Sequence, residues 1–157
     1  MHPFTKRMIL AGLALILALI VIPLGLMVRQ SAHLRTKTHH FWRAHPILLA
    51  MRLVHDGVWI NDSRAARAVL LERVPLGTDS ANAIASLSSE GFGCEKTTTA
   101  GWQVDCQLVA PALAPAELEN VGWIILFWPE QRWIIDLHFD QADCLDDAKV
   151  AIWNLSL

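Results

Sequence analysis

Three groups of side chains in this sequence have types and spacings that could do chemistry. The densest is His138, Asp140, Asp143, Cys144, Asp146 and Asp147. Carboxylates this close can hold calcium, and a thiol beside an imidazole can act as a nucleophile. The Asp-x-Asp-x-Asp-Gly pattern of a calcium loop is missing, and a distant Cys and His are common to many chains. An acidic surface loop is the expectation. His39, His40 and His45 form the second group. Imidazole ligates zinc and haem, but this spacing fits no zinc pattern and has no cysteine partner. The expectation is a solvated cluster at lipid-headgroup level beside Phe41 and Trp42. The third group is Cys94 and Cys106, on either side of the turn-like Thr97-Thr98-Thr99-Ala100-Gly101. On two paired strands these side chains can face each other at disulfide distance. The alternative is three reduced, buried cysteines, Cys144 included. No Gly-x-Ser-x-Gly and no phosphate-cradling glycine loop is present. The sequence therefore predicts no catalytic residue, no cofactor and no metal ligand: a protein that is not an enzyme. A small thiol or metal enzyme built on Cys144 and His138 is the weakest of the alternatives.

The longest feature is an uninterrupted apolar run. Met8 to Val28 carries no charge and contains only Gly12, Pro23 and Gly25 as other than strongly apolar residues. At about 1.5 Å per helical residue it can cross a hydrocarbon core of about 30 Å. A cleaved signal peptide would have a shorter apolar region and a small-x-small site, and Ser31-Ala32-His33 is a poor one. Residues 1–30 are expected to be an uncleaved anchor touching membrane lipid through 8–28, with cleavage at Ala32 the alternative. Arg29, Arg35, Lys37 and Trp42 follow it and are expected at the membrane interface. Flanking positive charge favours a cytoplasmic C-terminal part, since Lys6 and Arg7 are outnumbered on the far side. A long following domain can translocate despite such charge. The cysteines point the other way, because disulfides persist in oxidising compartments. The expected location is the bacterial inner membrane, single-pass, with the C-terminal domain in the periplasm.

Composition fits an anchor plus one modest domain. The chain has 157 residues, is 54% apolar and carries a net charge of -2. Outside the apolar run it is about half apolar, ordinary for a globular domain. A multi-span transporter and a wholly disordered chain are disfavoured, and so is a nucleic-acid partner, for want of a basic face. Charge is nonetheless split. Arg29 to Arg73 holds eight Lys/Arg against three acids, and Val74 to Leu157 holds three against twelve. Residues 31–61 thus form a basic juxtamembrane linker with a short helix, and 62–157 an acidic domain. The basic arm would rest on anionic headgroups or serve only solubility.

Local signals predict the elements that position these groups. Ser31–His40 is polar and reads as a linker. Pro46–Val54 reads as a short helix, since proline is tolerated in a first turn, with Asp56-Gly57 ending it. Asn61-Asp62-Ser63 starts a helix through Arg64–Val74, with Ala65, Ala68, Val69, Leu71 and Leu76 as its apolar stripe. Gly77-Thr78-Asp79-Ser80 starts the next, with Ala81, Ile84, Ala85 and Leu87 inward and Gly91 as its end. Hairpins follow at Phe92–Thr98 with Trp102–Val109, and at Gly122–Trp128 with Arg132–Phe139; Val150–Leu155 is a last strand. Helices followed by strands indicate an α+β fold: a single N-terminal transmembrane helix, then two or three helices packed on an antiparallel four- to five-stranded meander. One small helical layer covers only one sheet face. The other is free for a partner, a second copy or the membrane surface. Seven tryptophans and no tyrosine are present, and Trp123, Trp128 and Trp133 are candidates for an aromatic contact patch.

The stretch from Val74-Pro75-Leu76-Gly77-Thr78 to Gly91-Phe92-Gly93-Cys94, with the hairpins after it, resembles the SmpA/OmlA (BamE-like) small bacterial envelope domain. In that family two helices pack on a three-stranded sheet. The resemblance covers about residues 62–157 and implies protein–protein contact within envelope assemblies, without catalysis. The chain departs from the family in lacking a lipid-attachment cysteine and in having a spanning helix and extra strands. The functional expectation is a non-enzymatic, membrane-anchored envelope protein that contacts another protein, as an accessory subunit of an inner-membrane assembly. The alternative is an immunity or inhibitor protein whose acidic sheet blocks a basic target.

Overall fold

The computed structural model describes residues 3–54, 59–97, 102–113 and 130–155. It has the expected α+β order: a long helix, three short ones, then a meander. Helix α1 spans Pro3–Ala44, α2 Pro46–Val54, α3 Arg64–Arg73 and α4 Ser80–Ser89. The strands are β1 Trp59–Ile60, β2 Gly93–Lys96, β3 Val104–Pro111, β4 Glu130–Phe139 and β5 Leu145–Leu155. The sheet order is β1-β5-β4-β3-β2, every pair antiparallel. The expected turn at Asp56-Gly57 and the expected strand Gly122–Trp128, with Ile124 and Leu126, lie outside the described residues.

Helix α1 corrects the expected linker. Ser31–His40 is helical, and α1 continues from the apolar run to Ala44 without a break. Polarity misled because polar side chains cover only part of this segment. Ser31, Thr38 and Trp42 fall on one side of the helix at spacings of seven and four, and all three are buried. The helix thus runs unbroken through residue 30. Residues Leu17–Ala44 make the one helix among those described that is long and apolar enough to cross a membrane. Its apolar side chains Leu19, Ile20, Ile22 and Leu26 are all exposed, so the folded body does not use them.

The body begins where α1 ends. The Trp42 indole is fully buried and donates from Nε1 to Leu113 O at 2.9 Å. Arg52 holds the next carbonyl upstream, donating from Nε and Nη2 to Ala112 O at 3.0 and 2.8 Å. Leu48 and Met51 of α2 are fully buried, each stabilising the fold by roughly 1.5–3 kcal/mol over exposure. Helix α2 thus belongs to the core rather than to a linker. Its N-terminus is capped from a distance: Glu90 accepts from the backbone N–H of Ile47 at 3.1 Å and of Leu48 at 3.3 Å. Those amides have no partner within their own helix, and the positive helix end favours the carboxylate.

Both predicted caps are in place. Ser63 accepts from Ala66 N, and Asp79 accepts from Asn82 N. The bond from Asn82 N, with that from the Asn82 side-chain amide, holds the Asp79 carboxyl below the usual carboxylate range. Gly91 ends α4 at φ +85°, a conformation that glycine adopts without a side-chain clash. The inward faces match expectation in part: Leu87 is fully buried, and Val69, Leu71 and Ile84 pack against the core. Ala66, Leu70 and Val74 face the sheet, while Ala65, Ala68 and Leu76 are exposed; in α4 Ala83 and Leu87 are buried, and Ala81 and Ala85 are not. Alanine carries too little apolar area to mark a face, so the misplaced residues are mostly alanines, and Leu70 rather than Leu76 anchors α3.

One core joins the helices to the inner sheet face. Trp133, Ile135, Leu137 and Phe139 of β4 are buried, alternating with half-buried neighbours. Val104, Cys106 and Ala110 of β3 and Val150 and Ile152 of β5 share that face. Strand β5 starts earlier than expected, at Leu145. A register shift at His138/Phe139 lets it pair beyond the alternation visible in the sequence. The two-residue β1 adds an edge that its length hid from pattern reading.

Candidate interaction surface

The cysteines give the first firm placement. Cys94 and Cys106 are register partners on β2 and β3 and are joined by a disulfide across a Cα–Cα distance of 4.0 Å. The bridge lies on the inner face, where Cys106 is fully buried, and it clamps the outermost strand to the meander. Cys144 is free and half-buried, its thiol donating to Ala142 O at 3.7 Å.

The other chemical groups are engaged locally. Asp140 accepts from the backbone N–H of Ala142 and Cys144, both at 2.9 Å, and so shapes the β4–β5 turn. Ser80, at the start of α4, donates to Asp143 of that turn at 2.5 Å. His138 pairs through Nδ1 with Asp146 and meets Trp102 edge-on, ring centres 6.5 Å apart. Arg67 of α3 pairs with Asp147 and donates to Ala148 O at 2.6 Å. His45 stacks on Phe41, and its Nδ1 contacts Phe41 O at 2.6 Å. His39 and His40 are exposed on α1. Among the described residues no three His, Cys, Asp or Glu side chains gather as metal ligands do. The expected acidic loop is therefore a hydrogen-bonded turn.

The membrane-interface set divides. Arg29 and Lys37 are exposed on α1 and Arg35 is half-buried, but Trp42 is in the core. Its position at the base of the body, with its N–H on the Leu113 carbonyl, replaces the headgroup placement. Of the aromatic contact candidates, Trp123 and Trp128 lie outside the described residues. Trp133 is fully buried on the inner face, which corrects its assignment to an exposed patch. It sits in phase with Ile135 and Leu137, a periodicity the sequence already carried.

What remains is the outer sheet face, and the register builds it in rows. Glu95, Asp105, Asp136 and Lys149 lie opposite one another across β2, β3, β4 and β5. Three carboxylates thus stand side by side with one ammonium at the end. Like charges directly opposite on a sheet are unfavourable. The Asp136 carboxyl is accordingly pushed above the usual range, first by burial and then by the Asp105 charge, with Lys149 acting against both. One Asp105 oxygen accepts from Gln107 Nε2 at 3.1 Å. The next row is Gln107, Ile134 and Ala151, and the one after is Val109, Arg132 and Trp153. Val109 is 44% exposed and Trp153 39%. Trp153 lies between Arg132 of β4 and the register position of Trp59 on β1, and tryptophan and arginine are residue types enriched among the residues that carry protein interfaces. The sequence marked this face through the charge of the second half of the chain. Trp153 lies on the expected last strand, and its alignment with Arg132 is set by the β4–β5 register, which no local signal marks. No family model, no curated protein and no solved structure matches this chain.

Proposed function

We propose that this chain is a non-enzymatic, membrane-anchored bacterial envelope protein whose domain binds another protein through its outer sheet face. In this reading α1 is an uncleaved single-pass anchor in the inner membrane and the domain is periplasmic. The exposed apolar length of α1 supports the anchor, and the Cys94–Cys106 bridge supports an oxidising compartment. The resemblance to the SmpA/OmlA type supports an accessory role in an envelope assembly. The observation that carries the partner is the outer face itself: Trp153, Arg132 and Val109 on the same face as the carboxylates of Glu95, Asp105 and Asp136, two rows along the strands.

The test is site-specific photo-crosslinking in intact cells. Probes at Val109 and Trp153 are expected to give one discrete adduct with a companion protein. A control probe at Leu76, 53% exposed on the α3–α4 turn, is expected to give none. No adduct from either outer-face position, or the same adduct from Leu76, sinks the reading. The row of carboxylates favours a second reading, an inhibitor that blocks a basic soluble target. That version requires an adduct with a soluble protein, weakened by salt.

A further inference from the structure

Strand β2 ends the sheet, and among the described residues no strand pairs with its outer side. Its free backbone groups can be assigned. Thr97 N donates to Gln103 O at 2.9 Å, so Thr97 faces β3. Antiparallel ladders alternate bonded and non-bonded pairs, which puts Gly93 and Glu95 in the bonded set with Thr97. The short Cα–Cα distance of 4.0 Å at Cys94–Cys106 is that of a non-bonded pair. The N–H and C=O of Cys94 and Lys96 therefore point away from the sheet.

Three further features shape this edge. The disulfide ties β2 to β3 at its middle, so the strand is held extended before anything binds. Gly93, Glu95 and Lys96 are all exposed. A cavity of about 340 Å³ runs beside them, lined also by Thr97, Asp105 and Gln107. The acidic row begins here, with Glu95 opposite Asp105. A strand added next to β2 would place a side chain within about 4.5–5.5 Å of Glu95.

We propose that the β2 edge accepts an extended, basic segment of the partner protein as an added strand, its Lys or Arg side chains facing Glu95 and Asp105. Main-chain bonds to Cys94 and Lys96 supply the affinity, and the carboxylates select the charge. This rests on the partner-binding reading and names how that partner is held.

The probe is a short synthetic peptide of alternating Lys and Thr, with its Glu–Thr counterpart as control, added to the full chain in detergent micelles. Amide hydrogen exchange is read residue by residue. Exchange at Cys94 and Lys96 is expected to slow about tenfold when the peptide is about tenfold above its Kd. Gly93 and Glu95, already bonded to β3, are expected to stay as they were, and the Glu–Thr peptide to protect nothing. Lys96→Pro removes one outward N–H without touching a bond to β3 and is expected to abolish protection at Cys94. An unchanged melting curve and an intact bridge show that this variant folds. Unprotected Cys94 and Lys96 amides in the wild type, or full protection of Cys94 in a folded Lys96→Pro, overturn the proposal. The two readings fail separately. Outer-face adducts that persist in Lys96→Pro cells leave the partner and remove the edge. Peptide protection without any cellular adduct leaves the edge and removes the outer-face partner.

Discussion

Removing the Cys94–Cys106 bridge has a magnitude that follows from its position in the chain. The two cysteines are separated by 12 residues. Opening so short a loop frees the unfolded chain by about 3 kcal/mol at 25 °C. The folded side adds to this, because Cys106 is fully buried and an alanine in its place leaves unfilled space. Small domains have only about 5–15 kcal/mol in total. The double variant Cys94→Ala/Cys106→Ala is therefore expected to lose a large share of its stability, and β2 to lose its attachment first. The assay is urea denaturation of the full chain in micelles, wild type against variant, each with and without reductant. Reductant is expected to lower the wild type by about 3 kcal/mol, to somewhat above the variant because the thiols still fill the space, and to leave the variant unmoved. Alkylation of free thiols in intact cells, read by peptide mass, completes the test: Cys144 is expected to label and the other two not. A variant within about 0.5 kcal/mol of the wild type refutes the energetic argument. Three labelled thiols refute the oxidising compartment, and with it the periplasmic placement.

Three further outcomes are expected. Glu90→Ala leaves the amides of Ile47 and Leu48 buried without their acceptor and costs about 2–3 kcal/mol, with Glu90→Gln costing less; denaturation curves of both variants check this, and equal losses would refute the capping role. Gly91→Ala puts a Cβ into a φ of +85° and 3.0 Å from His45 Nε2, and a loss of about 1–2 kcal/mol in the same assay is expected, refuted by a neutral result. Asp136 holds its proton above the ordinary 3.8, so its contribution to stability is complete below that pH and is lost as pH rises through its native value. Asp136→Asn is accordingly expected to stabilise the domain at pH 7 by several tenths to about 1 kcal/mol and not below pH 3.8; no gain at pH 7 would refute the like-charge row.

The fold was legible where side chains are large and alternate strictly. Trp133, Ile135, Leu137 and Phe139 announced a strand and left open which of its two phases is buried, and Ser63, Asp79 and Gly91 marked helix ends through chemistry that acts locally. Legibility failed where small or polar residues are buried by distant chain. Ser31 and Thr38 look like linker residues and are buried on a helix, and no composition rule distinguishes the two. Trp42 failed for a related reason. An indole beside a basic apolar boundary satisfies the interface pattern as well as a core site, and only the carbonyl of Leu113, 71 positions away, decides between them. The surface was half legible. Acidity of the C-terminal half predicted carboxylates on the sheet, but their alignment into one row depends on three registers that no local signal fixes.

Because α1 enters the body through Trp42 without a hinge, the apolar run and the domain share one rotational phase. Each residue of an α-helix advances about 1.5 Å and turns about 100°. The stretch from Val28 to Trp42 works as a shaft about 21 Å long, and if the apolar run is the anchor proposed above, the direction the outer sheet face looks is set by which side of the helix faces its neighbours in the bilayer. A companion that grips the apolar run therefore also aims the tryptophan and carboxylate face. One residue inserted after Arg29 would barely change the height of the domain, yet it would swing that face more than a quarter turn away from whatever stands beside it.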